Sequence, residues 1–127
     1  MSDLLTGLLT DGNGESSSSL PALNIQNLTA AGDTINKNPN IELRATSPLV
    51  MTSTPTISVG LSEMERIVIR GSSNTNTITL QSNGSLGGSN LFLEQGVNAV
   101  LGLNDVIVFR WNALTSNWIE ISRSLNS

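Results

Sequence analysis

The sequence contains no histidine and no cysteine. Histidine is the commonest general base in enzymes, and histidine and cysteine are common ligands of bound metal ions. A chain without cysteine also forms neither a disulfide bond nor a thiolate metal site. Carboxylates and hydroxyls are the main groups left for catalysis. We therefore expect a protein that is not an enzyme and that holds no metal and no cofactor.

The remaining carboxylates and hydroxyls form no strong catalytic pattern. Glu63 and Glu65 alternate by two, a spacing that can place two carboxylates on one strand face, as in a glycosidase pair. With Arg66 next to them, two exposed carboxylates at a sheet edge are the better interpretation. Serine is abundant, but there is no GxSxG motif and no histidine to act as its base. We predict no small-molecule substrate.

Aromatic residues are scarce, at 3% of the chain, with two tryptophans, two phenylalanines and no tyrosine. An exposed pair formed by Trp111 and Trp118 would be able to stack on a sugar ring. A domain with so few aromatic residues can hardly spare both tryptophans from its core. We therefore favour core packing for both, and sugar binding is the alternative.

Basic residues are also few, and the net charge is −4 with an isoelectric point near 4.5. The basic residues are dispersed along the chain, so they form no basic patch for nucleic acid. No apolar run is long enough to span a membrane, and an acidic residue stands where a signal peptide needs a positive charge. We expect a protein assembled in the cytoplasm, without a nucleic-acid or membrane partner.

Residues 1–40 lack the regular pattern of the remainder. Four leucines share one side of a possible helical turn: Leu4, Leu5, Leu8 and Leu9. Such a short segment is not a stable helix unless it docks on something, and DGNGESSSS at residues 11–19 has the composition of a flexible linker. We divide the chain into an N-terminal arm and linker (1–40) and a head domain (41–127). The arm is either a loosely packed leader or an extended segment that lies on a neighbouring subunit.

From Ile41 onward, short β-type runs alternate with turn signals. The runs are IELRAT, LVMTST, TISVG, ERIVIRG, TITLQ, NLFLE, NAVLGL, DVIVFRW and NWIEISRS. About eight short strands at intervals of roughly 8 to 12 residues are typical of a β-sandwich or barrel. Asn83-Gly84 predicts a hairpin with a type I′ turn, because that turn needs positive φ at both central residues.

The segment Asn98–Ser124 holds both tryptophans and the longest apolar run, and it predicts a β-hairpin with a polar loop at residues 112–117. Pairing Trp111 with Trp118 places alternate residues on opposite faces. One face carries Asp105, Ile107, Phe109, Trp111, Trp118 and Glu120, and the other carries Val106, Val108, Ile119 and Ile121, with Arg110 and Arg123 at its ends.

Both faces of this hairpin are therefore apolar, whereas an antiparallel sheet with one wet side alternates apolar and polar residues. Ile67, Val68 and Ile69 repeat the pattern in another run. We predict that one face packs the core and that the other meets another chain. Coverage of the second face by the N-terminal arm is the alternative. The two arginines form either a charged rim to that interface or solvated strand ends.

About residues 63 to 124 resemble a β module that recurs in structural proteins of tailed bacteriophages. The resemblance rests on an Asn/Ser/Gly-rich hairpin region, ERIVIRGSSNTNTITLQSNGSLGGSNLFLEQG, then the strand NDVIVF, a short loop and the ending WIEISRS. The module is found in tail-fibre and tailspike proteins and in trimeric capsid decoration (cement) proteins. The resemblance implies an antiparallel β-sandwich of jelly-roll type, set in a virion.

Within that setting, a chain of 127 residues with one arm and one head suits a decoration protein better than a long fibre. The resemblance then implies a homotrimer on the outer capsid surface that clamps major capsid proteins. The expected trimer-interface residues are Val106, Val108, Arg110, Ile119, Ile121 and Arg123, and the expected capsid-docking residues are Leu4, Leu5, Leu8 and Leu9. A receptor- or glycan-binding tail-fibre tip is the alternative.

Overall fold

The computed structural model describes residues 22–126, which form nine strands, a short 3₁₀ helix at Glu94–Gly96 and no α-helix. The strands are β1 (Asn24–Leu28), β2 (Asn40–Ala45), β3 (Leu49–Val50), β4 (Arg66–Arg70), β5 (Ile78–Leu80), β6 (Leu91–Phe92), β7 (Ala99–Leu101), β8 (Val106–Asn112) and β9 (Asn117–Ser124). The predicted all-β class is confirmed. Every predicted run contains a strand except TISVG, which contributes only a bridge between Ile57 and Ile35.

Six strands form one sheet in the order β1-β2-β4-β8-β9-β6, and three form a second in the order β3-β5-β7. From β2 to β8, successive strands alternate between the two sheets. Because the chain crosses to the other sheet before it returns, β4 lies parallel to β2, and β5 lies parallel to β3. The sheets are therefore mixed, and the prediction of a purely antiparallel sheet is wrong.

The core takes residues from both sheets and from the segments that connect them. Its buried apolar residues form one cluster: Leu28, Ile35, Ile41, Leu43, Met51, Ile57, Ile67, Ile69, Ile78, Leu80, Leu91, Leu93, Ala99, Leu101, Ile107, Phe109, Trp111 and Trp118. The tryptophan rings meet edge to face with centroids 5.0 Å apart, and the Trp118 indole N–H donates to the Ser58 carbonyl at 3.0 Å. Core packing of both tryptophans is confirmed.

The segment that we predicted as arm and linker, residues 1–40, contains a strand and core residues. Strand β1 lies parallel to β2 at the edge of the six-stranded sheet, and its last residue, Leu28, is buried in the core. Ile35 is also fully buried. The apolar residues between positions 22 and 40 follow no period, because only a few of them point into the core. The sequence pattern therefore did not reveal β1.

The segment Asn83-Gly84 is a turn but not a type I′ hairpin. Neither residue has a positive φ, and β5 pairs with β3 and β7 instead of with the next strand. The Ser82 carbonyl accepts hydrogen bonds from the amides of Ser85 and Leu86, both at 2.9 Å. The prediction is wrong because the following strand, β6, belongs to the other sheet, so the chain has to cross between the sheets at this point.

Candidate interaction face

We call the side of the six-stranded sheet that points away from the core the outer face. Burial alternates along β8, where Ile107, Phe109 and Trp111 are buried and the residues between them are half-buried. The strand register then carries this alternation across to β4 and β9. On the central strands, the outer face consists of Arg66, Val68, Arg70, Val106, Val108, Arg110, Ile119, Ser122 and Ser124.

The structure thus brings together four of the six residues that we predicted at a trimer interface: Val106, Val108, Arg110 and Ile119. Residues that lie directly opposite each other on neighbouring strands share a face of the sheet, so the strand pairs form rows of side chains across the outer face. Val68 opposes Val108, and Ile119 opposes Arg110 on one side and Phe92 of β6 on the other. The centre of the outer face is therefore apolar.

The fifth and sixth predicted interface residues, Ile121 and Arg123, do not continue this alternation. Phe109 pairs with Glu120, but the preceding residue Val108 pairs with Ser122, so Ile121 is an extra residue in a β-bulge. Ile121 is 42% exposed. Beyond the bulge, Arg123 pairs with Ile107. The prediction that Arg123 lies on the outer face is wrong, because the bulge moves it to the side of Glu120.

Glu120 and Arg123 form an ion pair inside the protein. The carboxylate accepts from the Arg123 guanidinium at 2.6 and 2.7 Å and from the Glu94 amide at 2.7 Å, and its side chain is 2% exposed. Burial by itself raises the pKa of Glu120, but the hydrogen bonds from Arg123 and from the Glu94 amide outweigh burial, so the pKa is lowered. The hydrogen bond to Glu120 raises the pKa of Arg123, and the charges of Glu120 and Glu94 add to this effect. This pair stabilises the end of β9.

A second ion-pair group lies on the outer face beside β2. Glu42 accepts hydrogen bonds from Arg44 at 2.7 Å and from Arg70 at 3.0 Å. The hydrogen bond from Arg44 is the largest influence on the pKa of Glu42, and together with Arg70 it outweighs burial, so that pKa is lowered. Both arginines therefore have their counter-charge within the chain.

Arg66 and Arg110 differ from the other basic residues. They oppose each other directly across β4 and β8. No carboxylate within residues 22–126 lies within 4.0 Å of either guanidinium, and in this part of the chain Arg110 donates only to the Met64 sulfur, at 3.7 Å. Like charges directly opposed across two strands are destabilising. We call these two residues the arginine pair.

Beside the arginine pair, the same row of the outer face is apolar, with a half-buried isoleucine and an exposed phenylalanine. Arg110 is followed by Ile119 and then by Phe92, which is 45% exposed. Nearby loops expose further apolar residues, with Leu61 at 81% and Leu114 at 92%. An apolar patch bordered by charged side chains is typical of a surface that meets another protein.

The described part of the chain offers little for other kinds of site. In residues 22–126 no pocket opens on the surface, and no three acidic, histidine or cysteine residues cluster in a way that would hold a metal ion. Glu63 accepts from the Ala113 amide, and Glu65 accepts from the Leu61 and Ser62 amides and pairs with Lys37. These two carboxylates hold loops in place. None of the described helical segments has the length and apolar character needed to cross a membrane.

Several residues of the outer face were not among our predicted site residues. Arg66, Val68 and Phe92 join it only through the pairing of β4 with β8 and of β6 with β9. The alternation in RIVIR predicts that Arg66, Val68 and Arg70 share a face. The sequence does not indicate which strands lie next to β4. The predicted docking leucines Leu4, Leu5, Leu8 and Leu9 lie outside the described residues.

Comparison with known proteins adds no relative from which a role can be transferred, since no family model, no curated protein and no solved structure matches the chain.

Proposed function

We propose that this chain is a homotrimeric decoration protein of a tailed-phage capsid, which binds major capsid proteins and stabilises the shell. The observation that carries the proposal is the apolar centre of the outer face, formed by Val68, Val108 and Ile119 although the opposite faces of the same strands already fill the core. A protein with no other partner for this face would leave it in water.

Self-association offers a physical reason for such a face. Burial of apolar surface is favourable by about 25 cal/mol per Å², and a ring of three subunits would cover one such face on every copy. A closed ring can also cover sheet edges, which otherwise invite uncontrolled pairing. In this proposal the two sheets act as the layers of a β-sandwich head, and the trimer contact extends over β4, β8 and β9.

The capsid setting comes from the resemblance to decoration proteins of tailed phages, carried by residues 63 to 124. A protein that binds only the assembled shell stabilises that shell by mass action, without any chemical step. This mode of action fits a chain without histidine or cysteine. The N-terminal leucines Leu4, Leu5, Leu8 and Leu9 are the residues that we propose to dock on the major capsid protein.

The alternative, a glycan-binding tail-fibre tip, lacks its expected platform in the described part of the chain. Trp111 and Trp118 are both buried, and Phe92 is the one exposed aromatic side chain within residues 22–126. Sugar recognition by stacking needs an accessible aromatic face. The burial of the tryptophans therefore favours the decoration role over this alternative.

Copy number in purified virions of the phage that encodes this chain tests the proposal. A decoration protein should approach the abundance of the major capsid protein, because it occupies sites over the whole shell. Quantitative mass spectrometry with labelled standard peptides would measure the ratio. A few copies per virion would contradict the decoration role and would favour a tail tip, and binding on a glycan array would then be the next measurement.

A further inference from the structure

The arginine pair is the feature of the outer face that burial of apolar surface does not explain. Lys37, Arg44, Arg70 and Arg123 each pair with a carboxylate at 3.0 Å or less. Arg66 and Arg110 have no such partner within the described residues, although they face one another on adjacent strands. In a chain with a net charge of −4, two neighbouring cations without counter-charge in residues 22–126 indicate that the counter-charge comes from outside this part of the chain.

A carboxylate is the natural ligand for two adjacent guanidinium groups. Each guanidinium presents planar N–H donors that match carboxylate geometry, and such charge-assisted hydrogen bonds are stronger than neutral ones. A single carboxylate between Arg66 and Arg110 would also remove their mutual repulsion. The apolar residues next to them, Ile119 and Phe92, would exclude water and so strengthen the attraction.

Most carboxylates of the described chain are already engaged within it. Asp33 accepts from the Thr29 and Ala30 amides, Asp105 accepts from the Gly102 and Asn126 amides, and Glu63 accepts from the Ala113 amide. Glu42, Glu65 and Glu120 pair with cations. Glu94 is the remaining acidic residue of the described part of the chain. It is exposed, and its carboxylate accepts no hydrogen bond within residues 22–126.

Glu94 forms no ion pair with the arginine pair of its own copy. It follows β6, which is separated from β8 by β9, so the two sites are roughly two strand spacings, or about 10 Å, apart across the sheet. The charge of Glu94 acts on Arg123, whose pKa it helps to raise, but the Arg123 guanidinium already binds Glu120. This end of β6 therefore keeps a net negative charge, while the β4–β8 part of the same sheet keeps a net positive one.

We propose that the arginine pair of one copy binds Glu94 of a second copy. This inference rests on the proposed function, because it assumes that the outer face meets another copy of the chain. The contact joins two different parts of the sheet, the β4–β8 side of one subunit and the β6 edge of the next. Contacts of this head-to-tail kind close into rings when the rotation between subunits allows it.

Charge exchange between the two sites tests the contact in the full chain. The variants are Arg110→Glu, Glu94→Arg and the combination of both, each checked for folding by circular dichroism and urea unfolding. Each single variant should raise the midpoint concentration of self-association by about thirtyfold or more. Glu94→Arg brings a third guanidinium to the arginine pair, and Arg110→Glu brings a carboxylate that neutralises Arg66 and repels Glu94. The combined variant should return the midpoint to within about threefold of the wild type, since the attraction is restored with reversed sign.

A matched control separates this contact from a general effect of net charge. Ser85→Glu adds a negative charge on an exposed turn outside the outer face and should leave the association midpoint unchanged. Unchanged association of both single variants would overturn the Glu94 contact while leaving self-association intact. Weakened single variants without recovery in the combined variant would show that the two sites do not touch each other. A wild-type chain that remains monomeric would contradict the proposed function itself.

Discussion

At the scale of single residues, two kinds of position set the limits of substitution in this chain: glycines in crowded sites and buried charges. Gly71 follows β4, and a Cβ atom there would lie 2.3 Å from the carbonyl oxygen of Gly102. That oxygen belongs to the backbone, so it cannot turn aside as a flexible side chain would. At Gly84, in contrast, an added Cβ atom would meet no other atom within 4 Å, and φ is not positive.

We predict that Gly71→Ala destabilises the fold by about 1–3 kcal/mol, because the added methyl group has to displace backbone. Gly84→Ala is the matched control, and it should be neutral or stabilise by up to about 1 kcal/mol through the entropy of the unfolded chain. Urea unfolding at one fixed protein concentration measures both. Equal unfolding midpoints for the two variants would contradict the packing around Gly71.

The buried Glu120 predicts a dependence of stability on pH. Its pKa is lowered in the folded protein, so its contribution to stability is present above the unfolded pKa and is lost as the pH falls through the folded pKa. Glu120→Gln should therefore be less stable than the wild type at pH 7, and the difference should shrink as the pH falls through the folded pKa. Urea midpoints at a series of pH values measure this. A difference that stays constant over that range would show that the charge of Glu120 is not what stabilises β9.

At the scale of elements, the β8–β9 hairpin shows what a sequence pattern can and cannot reveal. The pairing of Trp111 with Trp118, from which we derived the two faces, is observed. The period of two then correctly places Ile107 and Phe109 on one face, and the structure shows that this face is the buried one. The bulge at Ile121 was not predictable, because an extra residue leaves the alternation of WIEIS unchanged in the sequence. The side on which Arg123 lies follows from that bulge and not from the pattern.

Deletion of Ile121 provides a test of the bulge. Without this residue, Glu120 and Ser122 would be adjacent and would pair with Phe109 and Val108 in a regular ladder, so we predict a folded protein with the Glu120–Arg123 pair intact. Deletion of Ile119 is the matched control, and it should be strongly destabilising because it shifts either Trp118 or Glu120 to the wrong face. Thermal unfolding followed by tryptophan fluorescence compares the two deletions. Greater damage from loss of Ile121 than from loss of Ile119 would contradict the observed register.

At the scale of the whole molecule, the all-β class was predictable from short apolar runs between turn residues, but the sheet topology was not. Parallel neighbours such as β2 and β4 are separated in the chain by a strand of the other sheet. The local sequence of either strand does not indicate which strand it pairs with. The expected antiparallel arrangement and the expected hairpin at Asn83-Gly84 both failed for this reason. The positions of Val106, Val108 and Ile119 on the outer face were predictable, because the strand period alone decides on which side of the sheet each of them lies.

Val108→Asp tests the role of the outer face in assembly. Val108 opposes Val68 at the centre of this face, so a charge there would be buried without a partner when subunits meet, at a cost of several kcal/mol. We predict loss of the trimer while the monomer stays folded. Val50→Asp, on β3 in the other sheet and 51% exposed, is the matched control and should leave the trimer unchanged. A variant of Val108 that assembles like the wild type would exclude this face from the interface.

The mass of the purified wild-type chain in solution is the most direct test of the central claim, that subunits cover one another's outer faces. Sedimentation equilibrium over a wide range of concentrations measures it without reference to shape. The account predicts a single species of three times the chain mass of 13.4 kDa, which dissociates only at high dilution. A species of 13.4 kDa that persists at the highest concentrations would contradict it.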